Sequence, residues 1–101
     1  MSEQLQEQAA TIPCRVALGM FSDERGVEIT LPDGRKIAAL VDKRDVTVER
    51  EPEPGQTVPG RLRVSIIEQQ DETVWIDLPQ PSFSAGQRFQ VPRRLLGSTA
   101  A

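Results

Sequence analysis

The 101-residue chain contains no histidine, no tyrosine and a single cysteine, Cys14. Histidine is the usual general base near neutral pH and the commonest ligand of transition metals. The chain therefore lacks the residue used most often for acid–base catalysis and for metal binding. One cysteine cannot form an intrachain disulfide or assemble a zinc site, and a lone cysteine is more often a small buried apolar side chain than a nucleophile. We therefore predict that the protein is not an enzyme and uses no metal or cofactor.

Targeting and phosphate-binding signals are missing as well. No run approaches the roughly 18 apolar residues of a membrane span, and residues 1–10 contain two glutamates but no lysine or arginine. The seven glycines form neither of the common phosphate-binding patterns. We expect a protein of the cytoplasm that does not bind membranes.

The alternation of apolar residues predicts the fold class. Between Pro13 and Val91, apolar side chains occupy every second position of short β-branched runs, a period that is typical of strands with one buried face. The runs are Val16, Leu18 and Met20; Val27, Ile29 and Leu31; Ile37, Ala39 and Val41; Val46 and Val48; Leu62, Val64 and Ile66; Val74, Ile76 and Leu78; Phe89 and Val91. About seven short antiparallel strands indicate an all-β fold, a small barrel or compact two-sheet roll of SH3-like or OB-like size.

The chain ends are expected to lie outside this domain. Residues 1–12 and 97–101 are polar or small and offer little apolar surface, so we interpret them as flexible tails. Residues 13–96 then form a single β domain.

A connector rich in proline and glycine divides this domain into two halves. Residues 49–59 contain three prolines, and each proline lacks the N–H that a central strand needs. We expect this connector to join halves at 13–48 and 60–92. A weak internal similarity relates residues 55–59 to residues 86–92, since each segment has Gly-Gln followed by Val-Pro. The spacing between the two dipeptides differs, and shared turn chemistry explains the similarity as well as duplication does.

Turn residues predict the pairing of the first half. Asp23 to Gly26 suits a type I turn in which glycine takes a positive φ. Residues 31–35 (LPDGR) favour a hairpin with a glycine bulge. That hairpin places Ile29 opposite Ile37, and Val27 opposite Ala39.

A second hairpin is predicted with its turn at residues 69–71. Pairing Ile66 with Val74 turns the apolar residues of both strands inward. The opposite face then presents Arg63, Ile67, Trp75 and Asp77, and Arg63 lies across from Asp77.

This outward face is the leading candidate site. An exposed tryptophan beside an aliphatic and a charged side chain resembles the composition of protein–protein hot spots. Arg63, Ile67 and Trp75 therefore predict a non-enzymatic module that binds a protein partner or associates with itself. The alternative, in which another part of the chain covers Trp75 and makes it part of the core, stays open.

Nucleic-acid binding is the second candidate function. Small barrels often bind nucleic acid with aromatic side chains over a basic groove, and the second half of the chain carries more basic than acidic residues. The candidate contacts are Arg61, Arg63, Arg88, Arg93 and Arg94. One tryptophan and three phenylalanines form a thin stacking surface, and the net charge of −3 opposes this function.

Overall fold

The structure, a computed structural model, describes residues 8–98 and is all-β, as the sequence predicts. One curled, half-barrel sheet contains seven antiparallel strands. The strands are β1 Gln8–Leu18, β2 Glu24–Thr30, β3 Lys36–Asp42, β4 Val46–Val48, β5 Val58–Gln69, β6 Thr73–Asp77 and β7 Arg88–Pro92. Two 3₁₀ turns, Lys43–Asp45 and Arg93–Leu95, follow β3 and β7. No helix among these residues is long and apolar enough to span a membrane.

Two long strands organise the sheet. The strand order is β3-β2-β1-β5-β6-β7, and β4 pairs with β5 outside this path. β1 pairs with β5 over Gln8 to Val16, so these strands form the centre of the sheet. The other edge of β5 is shared between β4 and β6.

Most of the core consists of the alternating residues that the sequence marks as inward, and Ala10, Ile12, Cys14 and Val58, which lie outside those runs, complete it. Among the most deeply buried side chains are Ile12, Val16, Val58, Leu62, Val64, Val74, Ile76, Leu78 and Val91. Leu18 and Met20 are exceptions, since both belong to the first predicted inward run but are 39% and 85% exposed. β1 ends at Leu18, so Met20 lies in the turn that follows, where alternation no longer applies.

The predicted domain boundaries are too narrow at both ends. Residues 8–12 belong to β1, and Ile12 is buried against the sheet. A strand needs an apolar residue only at every second position, so Ala10 and Ile12, which are both buried, suffice to dock this segment. Gly97 exchanges two backbone hydrogen bonds with Thr11, at 2.8 and 2.9 Å, and so also belongs to the domain. Residues 1–7 and 99–101, the remainder of the predicted tails, lie outside the described residues.

The first half confirms one predicted turn and corrects the other. Ile29 pairs with Ile37, as the turn at residues 31–35 predicts, and Gly34 has a φ of 92°. The predicted turn from Asp23 to Gly26 is wrong, because Gly26 lies inside β2 without a positive φ. The turn lies earlier and is closed by a hydrogen bond from Glu24 N–H to the Phe21 carbonyl, at 3.1 Å.

The predicted register of the second hairpin is wrong by two residues. Ile66 pairs with Ile76 rather than with Val74, and a β-bulge interrupts the ladder between Ile66 and Glu68. Beyond the bulge Gln69 pairs with Val74. A slip of two residues keeps every side chain on its face, so the apolar pattern that excludes a slip of one cannot exclude it.

The connector is also shorter than predicted, because β5 begins at Val58. Pro59 lies within β5, where the prediction allowed no strand. The β4 ladder ends with Val48 paired to Gly60, so Pro59 has a strand neighbour only on its β1 edge. A proline is tolerated where one edge of the strand is unpaired.

The two halves of the molecule repeat the same series of elements. Residues 8–48 form a long strand, two further strands, a 3₁₀ turn and a short strand. Residues 58–98 repeat this series, with a single bridge at Gly97 in place of the short strand. Ile12 and Leu62, fifty positions apart, pair with each other at the middle of the β1–β5 ladder. The pair therefore marks a pseudo-twofold axis.

Individual hydrogen bonds follow the same repeat. Lys43 N–H donates to the Asp23 carbonyl at 2.7 Å, and Arg93 N–H donates to the Glu72 carbonyl at 2.8 Å. Each bond joins the start of a 3₁₀ turn to the turn before the second strand of its half. This repeat has a spacing of about fifty residues and is unrelated to the weak similarity between residues 55–59 and 86–92.

Candidate functional site

The candidate face is the outer surface of β5, β6 and β7. We call it the Trp75 face. Apart from Glu68, which the β-bulge brings opposite Trp75, its residues alternate with residues of the inner face along each strand. They are Arg63, Ser65 and Glu68 on β5, Thr73, Trp75 and Asp77 on β6, and Arg88 and Gln90 on β7.

Trp75 lies in the middle of this face. Its neighbours on the inner side of β6, Val74 and Ile76, are almost fully buried, whereas Trp75 is half-buried and outside the core cluster. Glu68 on β5 and Gln90 on β7 are its cross-strand partners. The indole is thus flanked by two polar residues and retains partial access to solvent.

Ile67 is placed differently from the prediction. It falls at the β-bulge of β5, and the bulge brings Glu68 opposite Trp75. A bulge bends its strand and redirects the side chains next to it. Ile67 is exposed, so the Trp75 face keeps an aliphatic residue at its β5 border.

Asp77 pairs with a different arginine from the one predicted. Arg88 donates two hydrogen bonds to its carboxylate, at 2.7 and 3.0 Å, whereas the residue opposite Asp77 on β5 is Ser65. The hydrogen bonds from Arg88, and to a smaller extent its charge, lower the pKa of Asp77. Arg63 lies further along β5 and is exposed. The predicted pairing of Arg63 with Asp77 is therefore wrong, because the register differs.

The strand next to Trp75, β7, lies at an edge of the described sheet. β7 is the last strand of the sheet, and no strand of residues 8–98 borders its far side. At the opposite end of the sheet the β6–β7 loop reaches β3, where Phe83 N–H donates to the Ala38 carbonyl at 2.9 Å. The equivalent loop of the first half, residues 31–35, is too short to cover β7 in the same way.

Three of the five candidate nucleic-acid contacts are engaged within the protein. Arg61 donates its Nε–H to Thr11 Oγ1 at 2.7 Å and its Nη2–H to the Leu95 carbonyl at 3.4 Å, which links β5 to β1 and to the second 3₁₀ turn. Arg88 is bound to Asp77, as described above.

Arg93 closes the turn between β5 and β6. It donates hydrogen bonds to Gln69 Oε1, to the Gln70 carbonyl and to the Asp71 carbonyl, the last at 3.1 Å. Its neighbour Arg94 is exposed. Arg63 and Arg94 are therefore the candidate arginines with guanidinium groups most open to a ligand.

Cys14 has the properties of a core residue. Its side chain is buried, and burial raises the pKa of the thiol to about 11, against a smaller opposing effect of the Arg61 charge. The thiol is protonated at neutral pH and is a poor nucleophile. Among residues 8–98, no three histidine, cysteine or acidic side chains cluster closely enough to hold a metal ion.

Sequence reasoning missed two features of the site, Glu68 beside Trp75 and the open edge of β7. The position of Glu68 depends on the bulge, and the edge position of β7 depends on the strand order. The sequence carries no turn or spacing signal for either. Comparison of the chain with protein-family models, with curated proteins and with solved structures finds no match.

Proposed function

We propose that this protein is a non-enzymatic binding module of the cytoplasm that holds a protein partner against the Trp75 face. The observation that carries the proposal is a partly exposed tryptophan beside the edge of β7, with which no strand of residues 8–98 pairs. An extended segment added to β7 would gain backbone hydrogen bonds, and its side chains would meet Gln90 and Trp75. Tryptophan at such a position contributes much of the binding energy in many interfaces.

A second copy of the chain is an alternative source of that segment. Two β7 strands pairing antiparallel would form a symmetric dimer, in which each copy offers the same edge to the other. Sedimentation velocity over a range of protein concentrations separates self-association from binding of another protein.

The experiment compares Trp75→Ala with Phe83→Ala. Both variants remove an aromatic ring, but Phe83 is 70% exposed and lies outside the Trp75 face. We expect Trp75→Ala to weaken partner binding by about 2 kcal/mol or more, which is roughly thirtyfold, and Phe83→Ala to leave it unchanged. Affinity is measured on partners captured from the source lysate and then purified.

Denaturant unfolding of the two variants supplies the control. Trp75→Ala should cost about 1 kcal/mol, the scale of a cross-strand contact on a sheet surface. A loss of roughly 3–5 kcal/mol would instead assign Trp75 to the core and remove the proposed face. Equal binding by wild type and Trp75→Ala would likewise contradict the proposal.

The nucleic-acid alternative rests on the exposed guanidinium groups of Arg63 and Arg94. Phosphate contacts release counterions, so affinity for a labelled oligonucleotide would fall steeply with salt. Micromolar binding at low salt that is weakened in Arg63→Gln and Arg94→Gln would favour this alternative over a protein partner.

A further inference from the structure

A cavity of the first half, beside the connector, combines two cations with an apolar floor. It measures about 230 Å³ and lies between β1, β4, the first 3₁₀ turn and the connector. Its lining consists of Val16, Arg25, Lys43, Val46, Thr47, Val48 and Glu51.

Arg25 occupies a position that the other half fills with an apolar residue. It pairs with Val41 on β3, and the repeat places Val74, paired with Val91 on β7, at the equivalent site. The Arg25 side chain is only 7% exposed. A charged group in an inward position must be compensated by partners, because burial removes its hydration.

The guanidinium of Arg25 is only partly satisfied by the protein. Nη1 donates to the carbonyls of Ser22 and Glu24, at 3.0 and 2.9 Å, and Nη2 donates once, to Glu51 Oε1 at 3.0 Å. Within residues 8–98, neither the Nε–H nor the second Nη2 hydrogen has an acceptor. Nε and Nη2 together form the edge of a guanidinium that binds a carboxylate through two parallel hydrogen bonds, and Glu51 engages only Nη2 of this edge.

Glu51 makes only one contact with the Arg25 guanidinium. Its side chain is 57% exposed and contributes one oxygen to Arg25. The next residue, Pro52, is buried, so the connector stays anchored while the glutamate side chain can rotate into solvent. Without Glu51, the cavity lining carries the charges of Arg25 and Lys43 and no carboxylate.

We propose that this cavity binds a small monocarboxylate whose carboxylate replaces Glu51 on Arg25. The Nε–H and Nη2–H edge of Arg25 holds the carboxylate, Lys43 adds a second positive charge, and the apolar part of the ligand lies on the valines. At about 30 Å³ for each water-sized group, the cavity of about 230 Å³ has room for roughly seven such groups, which is enough for butyrate with its six non-hydrogen atoms. Glu51 is then an internal ligand that competes for the site.

The test is a titration with sodium butyrate, followed by ¹H–¹⁵N NMR of the full chain, including the Arg25 Nε–H signal. Glu51→Gln removes the charge of the internal competitor, whose effective concentration is in the millimolar range or above, so we expect the Kd to fall about tenfold. Arg25→Val installs the residue of the other half and should abolish saturable shifts. Lys36→Gln removes a positive charge at the far end of the β2–β3 hairpin and should bind as wild type does.

Sodium phosphate and sodium chloride at matched ionic strength complete the experiment. Phosphate binding to Glu51→Gln more tightly than butyrate would overturn the carboxylate assignment. An unchanged Kd in Glu51→Gln, or unchanged binding in Arg25→Val, would overturn the site itself. Where Arg25→Val fails to fold, Arg25→Lys replaces it, since lysine keeps the charge but lacks the two-donor edge, and butyrate binding equal to wild type would contradict the proposal.

Discussion

Arg61, Arg88 and Arg93 each bind groups that are distant in the sequence or on another strand. The sequence pattern predicts that their side chains leave the core, since they alternate with or follow buried residues. It does not predict where they go, because a long side chain reaches whatever the register of the neighbouring strands places beside it. Arg93, for example, reaches Gln69 across 24 positions.

Arg25 is the converse case, an arginine whose inward position the sequence analysis did not predict. It precedes Val27 and Ile29 at the strand period, so alternation alone would have turned it inward. The turn predicted from Asp23 to Gly26 instead includes Arg25 among its turn residues. A charged residue in phase with an apolar run is therefore the signal that could have revealed the cavity.

The pair of Asp77 and Arg88 gives a prediction about pH. The pKa of Asp77 is lowered in the folded state, so the pair stabilises the protein above the unfolded-state pKa, and this contribution is lost as the pH falls through the folded-state pKa. Asp77→Asn should lower the free energy of unfolding at pH 7 by less than about 1 kcal/mol, the scale of a partly exposed ion pair. The difference from wild type should shrink as the pH is lowered.

Denaturant melts across the acid range measure this difference. Asp71→Asn is the control, because the Asp71 carboxylate makes no ion pair within the described residues. If the loss in free energy of unfolding caused by Asp77→Asn grew as the pH was lowered, a stabilising ion pair between Asp77 and Arg88 would be contradicted.

At the scale of elements, the two hairpins differ in how well the sequence specifies them. The β2–β3 turn contains proline, aspartate and glycine, whose backbone preferences fix one loop geometry, and its register was predicted correctly. The β5–β6 turn lies in a polar segment without glycine or proline, residues 68–73. Nothing local selects its register, so the bulge and the two-residue shift depend on tertiary packing.

The close approach of β4 to β1 across β5 gives a prediction about Gly60. A Cβ atom there would lie 2.8 Å from the Thr47 carbonyl oxygen, from Val16 Cγ2 and from Val48 Cγ1. We expect Gly60→Ala to lower the free energy of unfolding by about 1–3 kcal/mol, the cost of overpacking a core.

Gly26→Ala is the matched control for this substitution. It is also a strand glycine, but an added Cβ would meet only Leu40 Cδ2, at 3.9 Å. Alanine there should be neutral or stabilising by up to about 1 kcal/mol, because it restricts the unfolded chain. Urea melts that give the two variants equal stability would show that the crowding at Gly60 is absent in solution.

At the scale of the whole molecule, each half completes the other. The last strand of the first half, β4, pairs with β5 of the second, and Gly97 of the second half pairs with β1 of the first. The sequence does not reveal this exchange, because equivalent positions of the two halves are both buried but are often occupied by different residues. Cys14 and Val64 fill equivalent positions, as do Ile12 and Leu62.

This exchange predicts that the C-terminal segment holds the whole domain together. Deleting residues 93–101 removes the Arg93 contacts to the β5–β6 turn, the Gly97 bridge to Thr11, and the packing of Leu95 and Leu96 against the core. Two half-buried leucines alone contribute roughly 2–3 kcal/mol, at half the value of full burial. We expect the truncated chain to unfold at a markedly lower urea concentration.

Deleting only residues 99–101 is the control, since it leaves Gly97 and the second 3₁₀ turn in place. Native-state hydrogen exchange adds a readout that distinguishes global from local loosening. Because β1 and β5 each pair with the final segment of the other half, loss of one segment should reduce protection along the whole β1–β5 ladder, including the first half of the chain. If protection fell only near residues 88–92 while β1 exchanged as in the full chain, the halves would be independent and the interlocking of the two repeats would not contribute to stability.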